Sequence, residues 1–528
     1  MLKYVAAALL AATAVSPAAA QSAPANSDRA ATKYWAFAES DRFRVYSEGG
    51  EEAARSMAIK LERLDDAMRL FTGVKPPAGP TPSNGKVTLY QFGSSDDIGG
   101  LINAPGVYGF FISRAGDSVA YVPLMADRKK QSTASPGARQ SYDFGPDGID
   151  PEPVLFHEYA HYFMYYHRPA AYPMWYSEGF AELFGTIKLD EKGFALGEAP
   201  RHRDVEFRMV DVSTAKMFDS KSSFATFPYY GHGWLAVSYL TFKPERKGQL
   251  AKYLTALQRG VDGKTAAQDA FGDLGKLERE LNAYRRERAM GMRAEYPMQG
   301  EPRVTVRKLT EAEAAAMQIV AQADVGLSRE KARGLVDDAR RVAAQYPQSV
   351  RVQLVAVETE LAAGNLDEAE KRAAAIVAAN PKTVDAHLFR AMVAMERAKS
   401  DPKWLATARA HYIAANNVDE NEPRALAGYY ATYVLAKETP PEGALAALES
   451  AFTAAPFDDD IRRKLAHLLL LENKDAQAKM IIAPIAFWPH ANKEGKRLRE
   501  LLAGLDRGER QPLIDELAPS LKPKRRDI

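Results

Sequence analysis

Apolar positions change their spacing along this 528-residue chain, and each change marks a different kind of architecture. From residue 33 to about 125, short alternating runs interleave with helical ones. Phe43-Arg44-Val45-Tyr46-Ser47 and Lys86 to Phe92 predict strands, as do 106–113 and 118–123. Residues 51–72 set Ala54, Met57, Ala58, Leu61, Leu64, Met68 and Leu70 on one helical stripe. A Pro/Gly/Ser loop runs from Pro76 to Gly85, completing a small mixed α/β layer. Residues 126–150 then lose periodicity and are rich in Lys, Ser, Gly and Asp, the pattern of a mobile loop over a site.

Residues 151–300 read as mainly helical, and the first helix holds a contradiction. Residues 154–166 are apolar or aromatic nearly all round, which predicts burial. Yet His157, Glu158 and His161 lie among them. Asp150 as cap, Pro151 at the first helical position and Pro169 beyond the end bound this helix. Ionisable groups are costly to bury without a partner, and a cation is such a partner. Imidazoles four residues apart share a helix face with Cβ atoms roughly 6 Å apart, so His157 and His161 are candidate ligands of one Zn²⁺.

A catalytic zinc takes three protein ligands and keeps one open position for water. Pro169 and Pro173 let the chain return in a second helix starting near Trp175, which carries Glu178 as the candidate third ligand. Gly179 beside it is expected to let the two helices pack closely. Glu182 shares a face with Glu178 and is expected to accept the free N–H of a liganding histidine. Glu158 points around the helix from its neighbours. Zinc brings the pKa of its water to about 7, so Glu158 is expected to take that proton and deliver it to a leaving amine. The oxyanion of amide hydrolysis needs another donor. Phe227 to Trp234, just before an apolar helix at 235–242, offers Tyr230, Tyr229 and His232. His167 and His202 receive no role, and the four histidines beyond residue 380 are expected to be structural.

From about residue 305 the spacing is helical throughout and repeats itself. Gly364-Asn365-Leu366-Asp367-Glu368-Ala369, followed by Asn380-Pro381, places a small residue and a proline as a tetratricopeptide unit does. Similar units centre on Ala332, Ala408, Ala444 and Ala478, at intervals of 34 to 39 residues. Small alanines let paired helices approach, and stacked neighbours bury faces that one unit cannot. The fold class expected is α+β: an α/β layer and helical catalytic region over 33–300, then an all-α solenoid over 305–505. Residues 506–528 are expected to be a basic tail, ending Lys522-Pro523-Lys524-Arg525-Arg526.

Charge and composition narrow the setting. With 70 basic and 68 acidic residues the formal net charge is +2, which gives no basic face for nucleic acid. Lys3, an apolar stretch at 4–15 and Ala18-Ala19-Ala20 form an expected export signal over 1–20, with 21–32 as a flexible lead. An apolar stretch of about twelve residues is too short to span a bilayer, so no stable membrane span is expected after cleavage. Cysteine is absent, so a metal must be held by nitrogen and oxygen. Together these suit a periplasmic or secreted bacterial protein.

His-Glu-Tyr-Ala-His at 157–161 followed by Trp-Tyr-Ser-Glu-Gly-Phe-Ala-Glu at 175–182 resembles the gluzincin metallopeptidases, the group holding thermolysin and the aminopeptidase N-like enzymes. The likeness covers roughly residues 150–255 and implies a zincin-like fold and zinc-dependent peptide hydrolysis. In the aminopeptidases the glutamate of Glu-Gly-Phe-Ala is a zinc ligand, which implies that role for Glu178. Their Tyr-x-x-Gly string supplies the oxyanion donor, which favours Tyr230 over Tyr229 and His232. In thermolysin-like enzymes an acid four residues past the ligand orients a histidine, as Glu182 would. No Gly-x-Met-x-Asn string is present, so the chain looks more like the peptidase MA-like bacterial proteins than like enzymes that grip a free α-amine.

A second likeness is to periplasmic quality-control proteases of outer-membrane proteins, which also join HExxH to tetratricopeptide repeats but lack the Trp-x-x-Glu-Gly string. The expectation is an exported zinc peptidase acting on a peptide or protein, whose repeats bind substrate or a partner protein. The alternatives are a repeat scaffold with an inactive metal domain, or that quality-control protease.

Overall fold

The computed structural model describes residues 35–521 apart from 77–80, 83–84, 103–106, 108, 125–149, 204–205, 207–209, 220–226, 288–289, 298–299 and 489–492. The expected export signal and lead, the loop at 126–150 except Asp150, and residues 522–528 lie outside the described residues.

A strand that was not expected, β1 (Ala36–Glu39), precedes the four that were: β2 (Phe43–Ser47), β3 (Val87–Phe92), β4 (Phe110–Ile112), shorter than its expected 106–113, and β5 (Ser118–Pro123). β2, β3 and β5 run parallel, while β1 and β4 pair antiparallel to their neighbours. Period-two alternation gives the sheet two apolar faces. Phe43, Val45, Leu89, Phe111, Ala120 and Val122 face α1 (Gly50–Thr72) and α3 (Pro151–His167). Tyr46, Tyr90, Phe92, Phe110, Val119 and Tyr121 face the other way. That second face packs against α2 (Ser95–Ile102) and against the start of the repeat region.

Residues 151–300 are mainly helical, as expected, but they also hold a small sheet that was not expected. α4 (Met174–Gly185) leads into a small antiparallel sheet of β6 (Lys188–Leu189), β7 (Gly193–Leu196) and β8 (Met292–Glu295). Between β7 and β8 lies α5 (Tyr229–Phe242), which begins earlier than the expected start at 235 and takes in the aromatic and glycine cluster.

The boundary expected between residues 300 and 305 does not separate two bodies. β9 (Thr305–Lys308) pairs with β1, extending the order to β4-β5-β3-β2-β1-β9. Helices Glu311–Val325, Arg329–Gln345 and Val350–Ala363 then cover the aromatic face of the sheet. A sheet with two apolar faces must be covered on both. Here the repeats supply the second cover.

Hairpins continue through Leu366–Ala379, Val384–Arg397, Trp404–Val418, Pro423–Ala436, Glu442–Ala454, Asp459–Leu471 and Asp475–Ala486. Ala332, Ala369, Ala408, Ala444 and Ala478 sit near the starts of alternate helices, each 0% exposed, where the paired helices meet. Past Lys493–Asp506, the expected tail instead forms the helix Gln511–Leu517. Leu513 and Leu517 on that helix are buried against the preceding hairpin, sealing the end of the stack. No helix among the described residues is long and apolar enough to cross a membrane.

Candidate metal centre

The histidine helix is set locally and then pinned. Asp150 accepts the Glu152 N–H at 3.0 Å, and Pro151 occupies the first turn. The Tyr159 hydroxyl donates to Asp65 of α1 at 2.7 Å, and Asp65 also pairs with Arg42 and Arg69. α4 is held against α5 by two glycines. A Cβ on Gly179 would overlap the Gly233 carbonyl, and one on Gly233 would overlap the Trp175 carbonyl. Gly179 thus serves a contact with α5 rather than the expected one with α3. Gly185 is the glycine that approaches α3, at Pro153 and His157.

His157, His161 and Glu178 come together across these helices. Nε2 of His157 lies 3.2 Å from Nε2 of His161, and Oε2 of Glu178 lies 3.3 Å from the first and 3.5 Å from the second. Zinc bonds of about 2.1 Å meeting at tetrahedral angles set ligand atoms about 3.4 Å apart. The three atoms therefore stand at the edge lengths of one face of such a tetrahedron. Among the described residues they form the only cluster of this kind. All three residues are buried, Glu178 completely. Two imidazoles and one carboxylate are also a donor set that zinc accepts.

Further groups stand beside the candidate ligands. Ser177 Oγ lies 3.3 Å from Nδ1 of His161. Glu182 Oε1 lies 3.6 Å from Nδ1 of His157, so this carboxylate stands beside the histidine it was expected to orient. Its shorter contacts are to others: Arg203 donates from Nε and Nη2 at 2.9 and 2.7 Å, and His202 Nε2 lies at 3.1 Å. Burial would raise the Glu182 carboxyl, but the Arg203 guanidinium, with His202 and His157, outweighs it and holds the group well below the usual carboxylate range. Glu182 is thus anionic in the pH range of life.

The Tyr230 ring lies 5.9 Å from that of His157, with the Arg203 guanidinium 4.0 Å over its face. Burial, with the charges of Glu178 and Glu158, raises its hydroxyl well above the ordinary range against the pull of Arg203. It therefore keeps its proton and is able to donate. Glu158 is half-buried at the same centre, close enough for its charge to act on Tyr230. The other two oxyanion candidates show different neighbours. Tyr229 is buried with its ring 4.9 Å from Phe227. His232 Nε2 meets the Val210 carbonyl at 3.2 Å, and burial pushes its pKa down to about 4.

Ser177, His202 and Arg203 were not singled out in the sequence. Ser177 lies inside the Trp-Tyr-Ser-Glu string and reaches His161 from the neighbouring helix. Arg203 and His202 sit on a single 3₁₀ turn, Arg201–Arg203, with no pattern to mark them.

No family model matches the chain, and no curated protein matches it. Among solved structures, a thermophilic TPR protein of Thermus thermophilus is similar to it at 18% identity and a TM-score of 0.30, over 37% of this chain and 97% of that one.

Proposed function

We propose that this chain is an exported, zinc-dependent peptidase of the gluzincin, peptidase MA-like kind. The observation that carries the reading is the buried triangle of two imidazole nitrogens and one carboxylate oxygen at the spacing of tetrahedral zinc ligands. Bound there, zinc would act as a Lewis acid toward an amide carbonyl and acidify its water.

The chain's own groups have distinct tasks. His157, His161 and Glu178 hold the ion, with Ser177 and Glu182 fixing the two rings. Glu158 takes the proton of the attacking water on its carboxylate and returns it to the leaving amine nitrogen. The Tyr230 hydroxyl, kept protonated, donates to the carbonyl oxygen as negative charge grows on it. β4 is the edge strand beside α3, with the Phe111 ring 5.0 Å from Tyr162. Its free edge among the described strands offers backbone groups to an extended peptide.

The helical hairpins support a second reading, a protein-binding scaffold whose metal centre turns nothing over. Metal content and hydrolysis separate the two. Wild type and Glu158→Gln should both carry about one zinc per chain, because Glu158 is not in the ligand triangle. A mixed peptide pool and unfolded casein should be cut by wild type, and at least about 100-fold more slowly by the variant. Zinc-loaded wild type that leaves both substrates intact would remove the peptidase and leave the scaffold.

A further inference from the structure

The chain returns to its own metal centre from the far end of the repeats. Trp488, just past helix Asp475–Ala486, sets its indole 5.9 Å from the His161 ring and 4.6 Å from Tyr165. Phe457, in the link before helix Asp459–Leu471, meets Tyr162 and Tyr166 of α3 edge-on, each at 5.1 Å. Polar ties secure this return. Asp458 caps its own helix through Oδ1 and accepts the Ala115 N–H at 2.9 Å through Oδ2. The Arg424 guanidinium lies against Gly116 in the same β4–β5 turn, where any side chain would overlap it.

Trp175 and Trp234 are fully enclosed in the core. Trp488 is only partly buried. An aromatic ring thus stands beside each of the two candidate ligand histidines, Tyr230 at His157 and Trp488 at His161.

We propose that Trp488 is a specificity-determining residue, forming the wall of a subsite for a large apolar side chain next to the bond being cut. The repeats then complete the metal centre as well as extending from it. The inference rests on the zinc-site reading above, but its test reads binding and does not require turnover. A benzyl group laid against an indole removes both surfaces from water, which favours it over a methyl by about tenfold or more.

The probes are two zinc-chelating hydroxamates, one with a benzyl and one with a methyl side chain, titrated calorimetrically into zinc-loaded full-length protein. Wild type should prefer the benzyl compound by about tenfold. Trp488→Ala should bring the two within about twofold at unchanged zinc content, and Trp488→Phe should keep most of the preference. Should the alanine variant lose zinc, Trp488→Leu carries the same comparison. An undiminished preference without the indole, no preference in wild type, or no binding of either compound at millimolar concentration overturns the subsite. A Trp488-dependent preference in a protein that cuts no peptide keeps the subsite and removes the hydrolysis. Cleavage with a preference blind to Trp488 does the reverse.

Discussion

At the scale of single residues, the candidate metal centre is an arrangement of charge in a buried space. Glu178 and Glu182 are both enclosed, 0% and 1% exposed, and each needs positive partners. Glu182 has Arg203 and His202; Glu178 faces the two imidazoles that would share a cation with it. Arg203 also lies over Tyr230, so one guanidinium steadies both a carboxylate beside His157 and the candidate oxyanion donor. Replacing it by methionine keeps volume and removes charge. Arg203→Met should therefore weaken zinc binding by about 10- to 100-fold, read by competition with a chelator, because the group orienting His157 loses its counter-charge. Unchanged affinity would show that Glu182 does not act on the metal through His157. Arg203 was invisible in the sequence because the contact joins residues 21 apart with no periodic relation.

Among elements, the decisive contact is the crossing of α4 and α5. Glycine at 179 and at 233 lets the two backbones touch, and this brings Tyr230 up to His157. Gly179→Ala would drive a methyl into the Gly233 carbonyl. The helices would have to part, at a cost of about 3 kcal/mol measured by denaturant unfolding, with weaker zinc binding as Glu178 moves. A near-neutral effect on both would mean the crossing has slack. α3 itself was readable in advance, with Asp150, Pro151 and Pro169 in the expected places. The partner of Gly179 was not, since a glycine signals that something comes close without saying what.

For the whole molecule, the repeats and the sheet are joined, among the described residues, at both ends of the repeat array. At the first junction Asp324 accepts from the Tyr90 hydroxyl, and Arg351 donates to the Tyr46 hydroxyl at 2.6 Å. Burial and the charge of Asp117, against Arg114 and Arg351, push the Asp324 carboxyl up to about 6. Burial, with the charge of Asp324, pushes Glu358 up to about 7. Carboxyls raised above their ordinary values bind protons more tightly folded than unfolded. Their contribution to stability is therefore complete below about pH 4 and lost as pH rises through 6 to 7. The stability difference between wild type and an Asp324→Asn, Glu358→Gln double variant should shift in favour of the variant from about pH 5 to about pH 8 in thermal unfolding. A difference flat with pH would mean that both groups ionise in the fold as they do in water.

What the sequence by itself determined is whatever depends on neighbours along the chain. Caps, apolar period, the i, i+4 histidines and the small alanines of the hairpins all work within a few residues. Local sterics and hydrogen bonding therefore settle them. Tertiary structure alone decided which distant groups meet: β9 against β1, Arg203 against Glu182, Gly233 against Gly179, and Trp488 beside His161. Burial makes those pairings, because an apolar face or a charge out of water accepts any partner of suitable shape and sign, wherever in the chain it comes from.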